Sequence, residues 1–156
     1  LTDLVRTAAE MQAACLRALP KADIVVMAAA VSDFRFKDVR PRKAGKAEVG
    51  PTLAIEKTTD ILALLGGKKS PSQFLVGFAA ETHDILAHAR KKLATKKADL
   101  MVANAVGEGE GFGTDDNAVR IIAASGPDQE TGLLSKRELS RTIFDRIESA
   151  LEKKRR

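Results

Sequence analysis

Three polar side chains close three of the most apolar runs in the chain. Asp33 follows Ile24-Val25-Val26-Met27-Ala28-Ala29-Ala30-Val31-Ser32, Glu81 follows Gln73-Phe74-Leu75-Val76-Gly77-Phe78-Ala79-Ala80, and Asn104 follows Asp99-Leu100-Met101-Val102-Ala103. Each run reads as a strand buried on both faces, as in a parallel sheet. Ligands of open parallel sheets sit beyond the carboxyl ends of the strands. Small residues before an acid, such as Ala28, Ala29 and Ala30, let a ligand or another backbone come close. Alone, each stretch also fits a core strand followed by a solvated polar residue. On one sheet edge, the three together favour a ligand site. Thr58-Thr59-Asp60 opens a helix, with N–H groups available to an anion or to side-chain caps. Lys43 lies in a basic stretch; Lys92 and Lys96 are four apart, a pair that is often only solvated. Carboxylates, a helix start and lysines suit a phosphorylated ligand, with magnesium bridging its phosphates.

Other chemistries find little support. His83 and His88 share one helix without a cysteine or acid cluster beside them, which argues against zinc. No serine lies in a G-x-S-x-G elbow and no G-x-x-x-x-G-K-S/T loop is present. Gly107-Glu108-Gly109-Glu110-Gly111-Phe112-Gly113 does not fit the dinucleotide fingerprint G-x-G-x-x-G and reads as a loop. Cys15 is the one cysteine and sits in an apolar helical pattern. It is expected to be a core thiol, and an intrachain disulfide is excluded, which fits a reducing, cytoplasmic setting.

The chain has 156 residues, enough for one domain with a core. Most of its +5 formal charge sits in the closing Lys153-Lys154-Arg155-Arg156, weak evidence for nucleic acid. With six Phe and no Trp or Tyr, an aromatic platform for single strands is not expected. No apolar run is long enough to span a membrane.

The elements that must position these residues follow from periodicity. Residues 4–19 pattern as a helix, and 24–34 begin as the first strand. The segment 35–52 has many cations, Pro41, Gly45, Gly50 and Pro51, but no period, so a long basic lid loop is expected. Leu53–Glu56 reads as a short strand. A helix runs from Thr58 to about Leu65, stopped by Gly66-Gly67. Strands at 73–81, 99–104 and 117–124 alternate with a helix from Thr82 to about Leu93. A last helix is capped by Ser135 with Glu138 as its capping box. The order predicts an α/β domain with a largely parallel sheet.

Six motifs in order carry more. They are Ala28-Ala29-Ala30-Val31-Ser32-Asp33-Phe34; Lys43; Lys57-Thr58-Thr59-Asp60-Ile61-Leu62; Gly77-Phe78-Ala79-Ala80-Glu81-Thr82; Ala98-Asp99-Leu100-Met101-Val102-Ala103-Asn104; and Gly111-Phe112-Gly113-Thr114-Asp115-Asp116-Asn117. This series resembles bacterial phosphopantothenoylcysteine synthetase over nearly the whole chain. The resemblance implies a Rossmann-like fold with helices on both faces. It also implies a ligase of coenzyme A biosynthesis that condenses 4′-phosphopantothenate with cysteine. CTP would activate the carboxylate as an acyl-cytidylate, releasing pyrophosphate; the cysteine amine would then displace CMP. Mg2+ is the expected metal, with no ligands assigned.

By the same resemblance, Met27, Ala28 and Ala29 match a strand end that meets the nucleotide, and Asp33 an acid that contacts it. Lys43 matches a lid lysine that closes on the reacting phosphate and carboxylate; Lys46 is expected to matter little. Thr59, Asp60, Ile61 and Leu62 match a helix start that contacts CTP, with Thr59 where the family often has Pro. Phe78, Lys92 and Lys96 match further nucleotide contacts. Glu81, Asn104 and the 111–117 loop receive no role. A homodimer is implied. The family domain opens with a strand and a Gly/Ser-rich loop, behind a fused decarboxylase that uses FMN. Residues 1–156 are therefore expected to be the later part of the synthetase domain, lacking its N-terminal part. A non-catalytic nucleotide-binding fragment and an NAD(P)-linked Rossmann oxidoreductase are the alternatives.

Overall fold

In the computed structural model, the structure describes residues 1–39, 41–45, 48, 50–105 and 115–155. Lys46, the glycine-rich run 107–113 and Thr114 lie outside the described residues, as does most of the 111–117 motif. Thr7 caps the first helix, α1 (Ala8–Ala18), through a capping box with Glu10. The helix thus starts at Ala8 and not at Leu4, because the cap fixes where the helical hydrogen bonds begin. A 3-10 turn over Leu19–Lys21 leads into β1 (Ile24–Met27).

The main sheet has the strand order β1, β4 (Phe74–Glu81), β5 (Leu100–Ala105), β7 (Val119–Ala123), β8 (Gln129–Glu130). β1, β4 and β5 run parallel, with Ile24 opposite Phe74 and Val76 opposite Leu100. β7 and β8 join antiparallel. The α/β architecture with a parallel set of strands expected from the residue pattern is therefore present, Rossmann-like as the resemblance implies; β1, β4 and β5 share one direction, but β1 ends at Met27 and not at Asp33.

Alternation along the strands sorts the core onto two faces. Leu75, Ala79, Met101, Ala103 and Ile122 pack under helices α2 (Ile61–Lys68) and α3 (Ile85–Thr95), with α1 residues Met11, Cys15 and Leu16 against the same cluster. Phe74, Val76, Leu100, Val102, Val119 and Ile121 pack under Leu139, Ile143 and Ile147 of α4 (Lys136–Arg155). Helices thus cover both faces. Truncating a fully buried residue such as Leu65 or Leu75 to alanine should cost about 2–5 kcal/mol.

Several expectations need correction. β1 is not buried on both faces: Ile24 and Val26 are exposed, because β1 has β4 on one side only among the described residues. The segment 35–52 is not wholly a loop. Phe34–Phe36 forms β2 and pairs antiparallel with β3 (Ile55–Lys57), and Lys37 N–H donates to the Ala54 carbonyl. The result is a two-stranded ribbon outside the main sheet. Gly66-Gly67 does not stop α2; both lie inside it, and Lys69 is the C-cap. A Cβ on Gly66 would stand 1.8 Å from the Lys96 carbonyl oxygen. That glycine is there for close approach of α2 to the end of α3, a use invisible to turn statistics. α3 begins at Ile85, behind Asp84 in the left-handed region (φ 45°). Ser135 and Glu138 do form the expected capping box before α4. A second small pairing, β6 (Asp116–Asn117) with β9 (Leu134–Ser135), was not expected.

Candidate active site

The site grows from the carboxyl ends of the parallel strands. β4 and β5 end level, with Ala80 opposite Asn104 and Glu81 opposite Ala105. β1 stops earlier, at the level of Gly77, and the chain leaves through Ala28–Asp33 towards the ribbon. Leu62 of α2 presses onto that same Gly77: a Cβ there would meet its Cδ2 at 2.5 Å. The small residue lets the helix settle on the sheet, so the start of α2 stands over the strand ends.

Asp60 is the N-cap of α2, and its Oδ1 accepts the Ala63 N–H at 2.9 Å. Its Oδ2 receives the Lys96 ammonium from the end of α3. Burial would raise this carboxyl, but the Lys96 contact, the Ala63 N–H and the nearby Lys92 charge together hold it below its ordinary value. Glu81 is better enclosed, with its side chain 11% exposed. The Lys92 ammonium stands 2.8 Å from its Oε1 and His88 Nδ1 stands 3.2 Å from its Oε2. Oε1 is sealed from solvent, and the Lys92 ammonium beside it acts through hydrogen bonding and charge together. Burial again pushes the Glu81 carboxyl up, and Lys92 and His88 outweigh it, leaving the acid below its ordinary value.

A second region lies towards α1. The Thr58 N–H donates to the Asp33 carbonyl at 2.9 Å, and the Thr58 hydroxyl donates to the Ser32 carbonyl at 2.5 Å. These bonds staple the β1–β2 connection to the start of α2. Between that staple and α1 opens a cavity of about 620 Å³. Ala29, Ala30 and Val31 line it, with Met11, Phe34 and Thr59; Arg6, Arg35 and Lys57 bring cations to its wall. Arg35 also pairs with Glu56 across the ribbon at 2.6 Å, an exposed contact of small energetic weight.

The expected site residues therefore fall into groups. Ala29 and Thr59 line the cavity, and Asp33 is at its staple. Asp60, Lys92 and Lys96 meet in one charged cluster. Phe78 is 37% exposed, and strand alternation puts it on the α4 face, opposite Glu81. Met27, Ile61 and Leu62 turn their side chains to the core, leaving only their backbone to the site. Lys43 is exposed on the ribbon connection, with no hydrogen bond or ion pair to the other described candidates. The sequence reading placed Glu81 at the sheet edge without a role; it missed His88 as a partner of Glu81 from the following helix, and Arg6, Arg35 and Lys57 at the cavity. An acid ending an apolar strand, followed by a helix with His and Lys, was the available signal. Cys15 is half-buried and its thiol is pushed up by burial, which suits packing and not nucleophilic chemistry. Among the described residues no group of three or more His, Cys, Asp or Glu could hold a metal ion.

Comparison with known proteins agrees with this architecture. Residues 2–151 match the family model described as DNA/pantothenate metabolism flavoprotein C-terminal domain. The chain is 47% identical over 150 residues to the coenzyme A biosynthesis bifunctional protein CoaBC of Bacillus subtilis (strain 168), covering 96% of this chain and 36% of that protein. It is 39% identical over 153 residues to CoaBC of Mycobacterium tuberculosis (strain ATCC 25618 / H37Rv), covering 92% and 37%. The crystal structure of the C-terminal domain of a CoaBC superimposes with a TM-score of 0.77 at 35% identity, covering 96% of this chain and 65% of that one. A Cab2 mutant in complex with phosphopantothenate-cysteine shares the fold, with a TM-score of 0.72 at 15% identity, covering 96% and 52%. The chain thus spans little more than a third of the length of the curated relatives it matches. From its matched span and its strand order, the chain belongs to the family of DNA/pantothenate metabolism flavoprotein C-terminal domains.

Proposed function

We propose that this chain carries the synthetase half of a CoaBC-type enzyme, the CTP-dependent ligase that joins 4′-phosphopantothenate to cysteine. One observation carries the reading: a lysine–carboxylate cluster and a cation-walled apolar cavity meet at the start of α2, joined by Thr58, Thr59 and Asp60. The cluster suits a nucleotide polyphosphate, through Lys92, Lys96 and the N–H groups at the start of α2. The cavity suits a branched aliphatic acid that also bears a phosphate. Across the junction, a carboxylate oxygen attacks the α-phosphorus of CTP and the bond to the β-phosphate breaks. Pyrophosphate leaves and an acyl-cytidylate forms. The cysteine amine then attacks the acyl carbon, CMP departs, and loss of a proton leaves the amide.

In this reading Met27, Ala28, Ala29, Asp33 and Phe78 frame the nucleoside, with Thr59, Asp60, Ile61 and Leu62 supplying the helix start. Lys43 is the catalytic group that screens the phosphate and the attacking carboxylate. Magnesium would be held chiefly by the phosphates, in keeping with the lack of a protein cage among the described residues. A homodimer is supported by the ribbon, where Phe34, Phe36 and Ile55 stand exposed with Val39 and Leu53 beside them. FMN would belong to a decarboxylase half elsewhere in the parent chain. We place the enzyme in the cytoplasm; among the described residues no helix is long and apolar enough to cross a membrane.

The test is pyrophosphate release by the full-length protein with 4′-phosphopantothenate and each of CTP, ATP, GTP and UTP. Preference for CTP is expected, and calorimetry should rank the four nucleotides the same way. Equal use of all four would sink the CTP assignment. Nucleotide binding without turnover would favour the non-catalytic alternative.

A further inference from the structure

Glu81 has no role in the reading above, yet it is the best-enclosed carboxylate at the strand ends. Its two oxygens face two cations or potential cations from the same helix, Lys92 and His88. His88 in turn packs edge-on against His83 with ring centres 5.0 Å apart, and His83 Nδ1 lies 3.0 Å from the Thr82 hydroxyl. The other carboxylate of the cluster, Asp60, caps α2 and receives Lys96.

We propose that Glu81 is a positioning residue: it fixes the Lys92 ammonium at the carboxyl edge of the sheet so that the amine's outward donors meet a polyphosphate. The inference rests on the ligase reading for its substrate, and on the geometry alone for its mechanism. A lysine side chain has about 2 kcal/mol of rotamer entropy to lose on being held in one place. An unrestrained Lys92 would lose it when the nucleotide binds. Glu81 makes that ordering part of folding. An ammonium has three hydrogens and Oε1 engages one side of it, and Lys92 stays 44% exposed, open on its outer side. The carboxylate sits at the last position of β4, opposite Ala105 of β5. Its backbone is therefore fixed by the central strand of the parallel set.

A purely structural role would predict something different. Asp84 makes no side-chain cap on α3, so Glu81 could serve only to tie down the first turns of that helix. Loss of the charge would then lower stability and leave nucleotide affinity per folded molecule alone.

The experiment is a double-mutant cycle in the full-length protein with Glu81→Gln, Lys92→Gln and the pair. Two readouts run in parallel: KM and kcat for CTP in pyrophosphate release, and calorimetric affinity for inorganic tripolyphosphate. Glu81→Gln should raise KM about 10-fold while kcat changes far less, and tripolyphosphate affinity should fall in step. In the Lys92→Gln background, Glu81→Gln should add nothing, because it acts through that amine. Additive effects, an unchanged KM and affinity in Glu81→Gln, or no tripolyphosphate binding by the wild type would overturn the proposal. If Glu81→Gln fails to fold, Glu81→Asp runs the same cycle with the charge drawn back by one methylene. Failure of the wild type to release pyrophosphate from CTP would sink the ligase reading alone. The tripolyphosphate cycle involves no reaction and would still decide the role of Glu81.

Discussion

The two halves of the candidate site are built on opposite plans. The charged cluster stands on α2, α3 and the end of β4; Leu62 on Gly77 locks α2 to a buried strand, and the Lys96 carbonyl on Gly66 locks α2 to the end of α3. Its cations Lys92 and Lys96 already have carboxylate partners. The other half hangs on the β2–β3 ribbon, whose large apolar side chains are exposed, and its lysine, Lys43, has no partner among the described residues. A cation held in advance suits ground-state grip. A cation carried outside the core suits charge that appears during reaction. On the proposed function the difference would separate binding from rate, and each half can be tested for the property it should lack.

The sharpest test lies where the locked half has no room. Gly66→Ala places a methyl against a backbone carbonyl that cannot move without shifting α3. Denaturant unfolding should show a loss of about 3 kcal/mol, the upper range for overpacking. A loss below about 1 kcal/mol would mean that α2 and α3 are not rigidly joined. Next comes Lys43→Gln in the full-length enzyme. It should slow single-turnover pyrophosphate release about 10²-fold, while CTP affinity falls much less. Equal damage to affinity and rate would erase the contrast between the halves.

Acid titration gives a smaller effect with a definite sign. Asp60 and Glu81 are held below their ordinary values in the fold. Their contribution to stability is therefore complete above the unfolded carboxylate range and disappears as pH falls through the folded values, below about pH 4. Thermal melts between pH 7 and 3 should show Glu81→Gln with a shallower acid-side decline than the wild type. Parallel curves would mean that Glu81 gains no net charge stabilisation from Lys92 and His88. The smallest effect belongs to the neighbouring glycine. Gly67 lies in the same helix with open space where a Cβ would go. Gly67→Ala should stabilise by up to about 1 kcal/mol through helix propensity, read as a small rise in Tm. Destabilisation there would show that α2 needs more than Gly66 to approach α3.

The same contrast explains what could be read in advance. β4 and β5 were legible because an unbroken apolar run states its own burial, and their polar ends stated an edge. The ribbon was not. Phe34-Arg35-Phe36 is three residues long and pairs with a strand far along the chain, so no local period betrays it. Gly66 was misread because a glycine that ends a helix and one that admits a neighbouring backbone look alike in one dimension. Glu81 could be placed at the edge, but its partners depend on how α3 folds back over β4. Ile24 and Val26 read as core residues from their types, whereas their exposure is set by which strands lie beside β1.

The register of β1 bears on how such a chain is born. Ile24 finds its partner only at Phe74, after the ribbon, its connection and α2 have all been made. β4 and β5 are joined by α3 alone, so their pairing closes a shorter loop and should form first. During synthesis from the N-terminus, β1 and α1 leave the ribosome well before the strand they must pair with. For that interval the IVVM run at 24–27 lacks its β4 partner. The cavity beside α1, lined by the chain that leaves β1, is then expected to take shape only once β1 has docked onto β4.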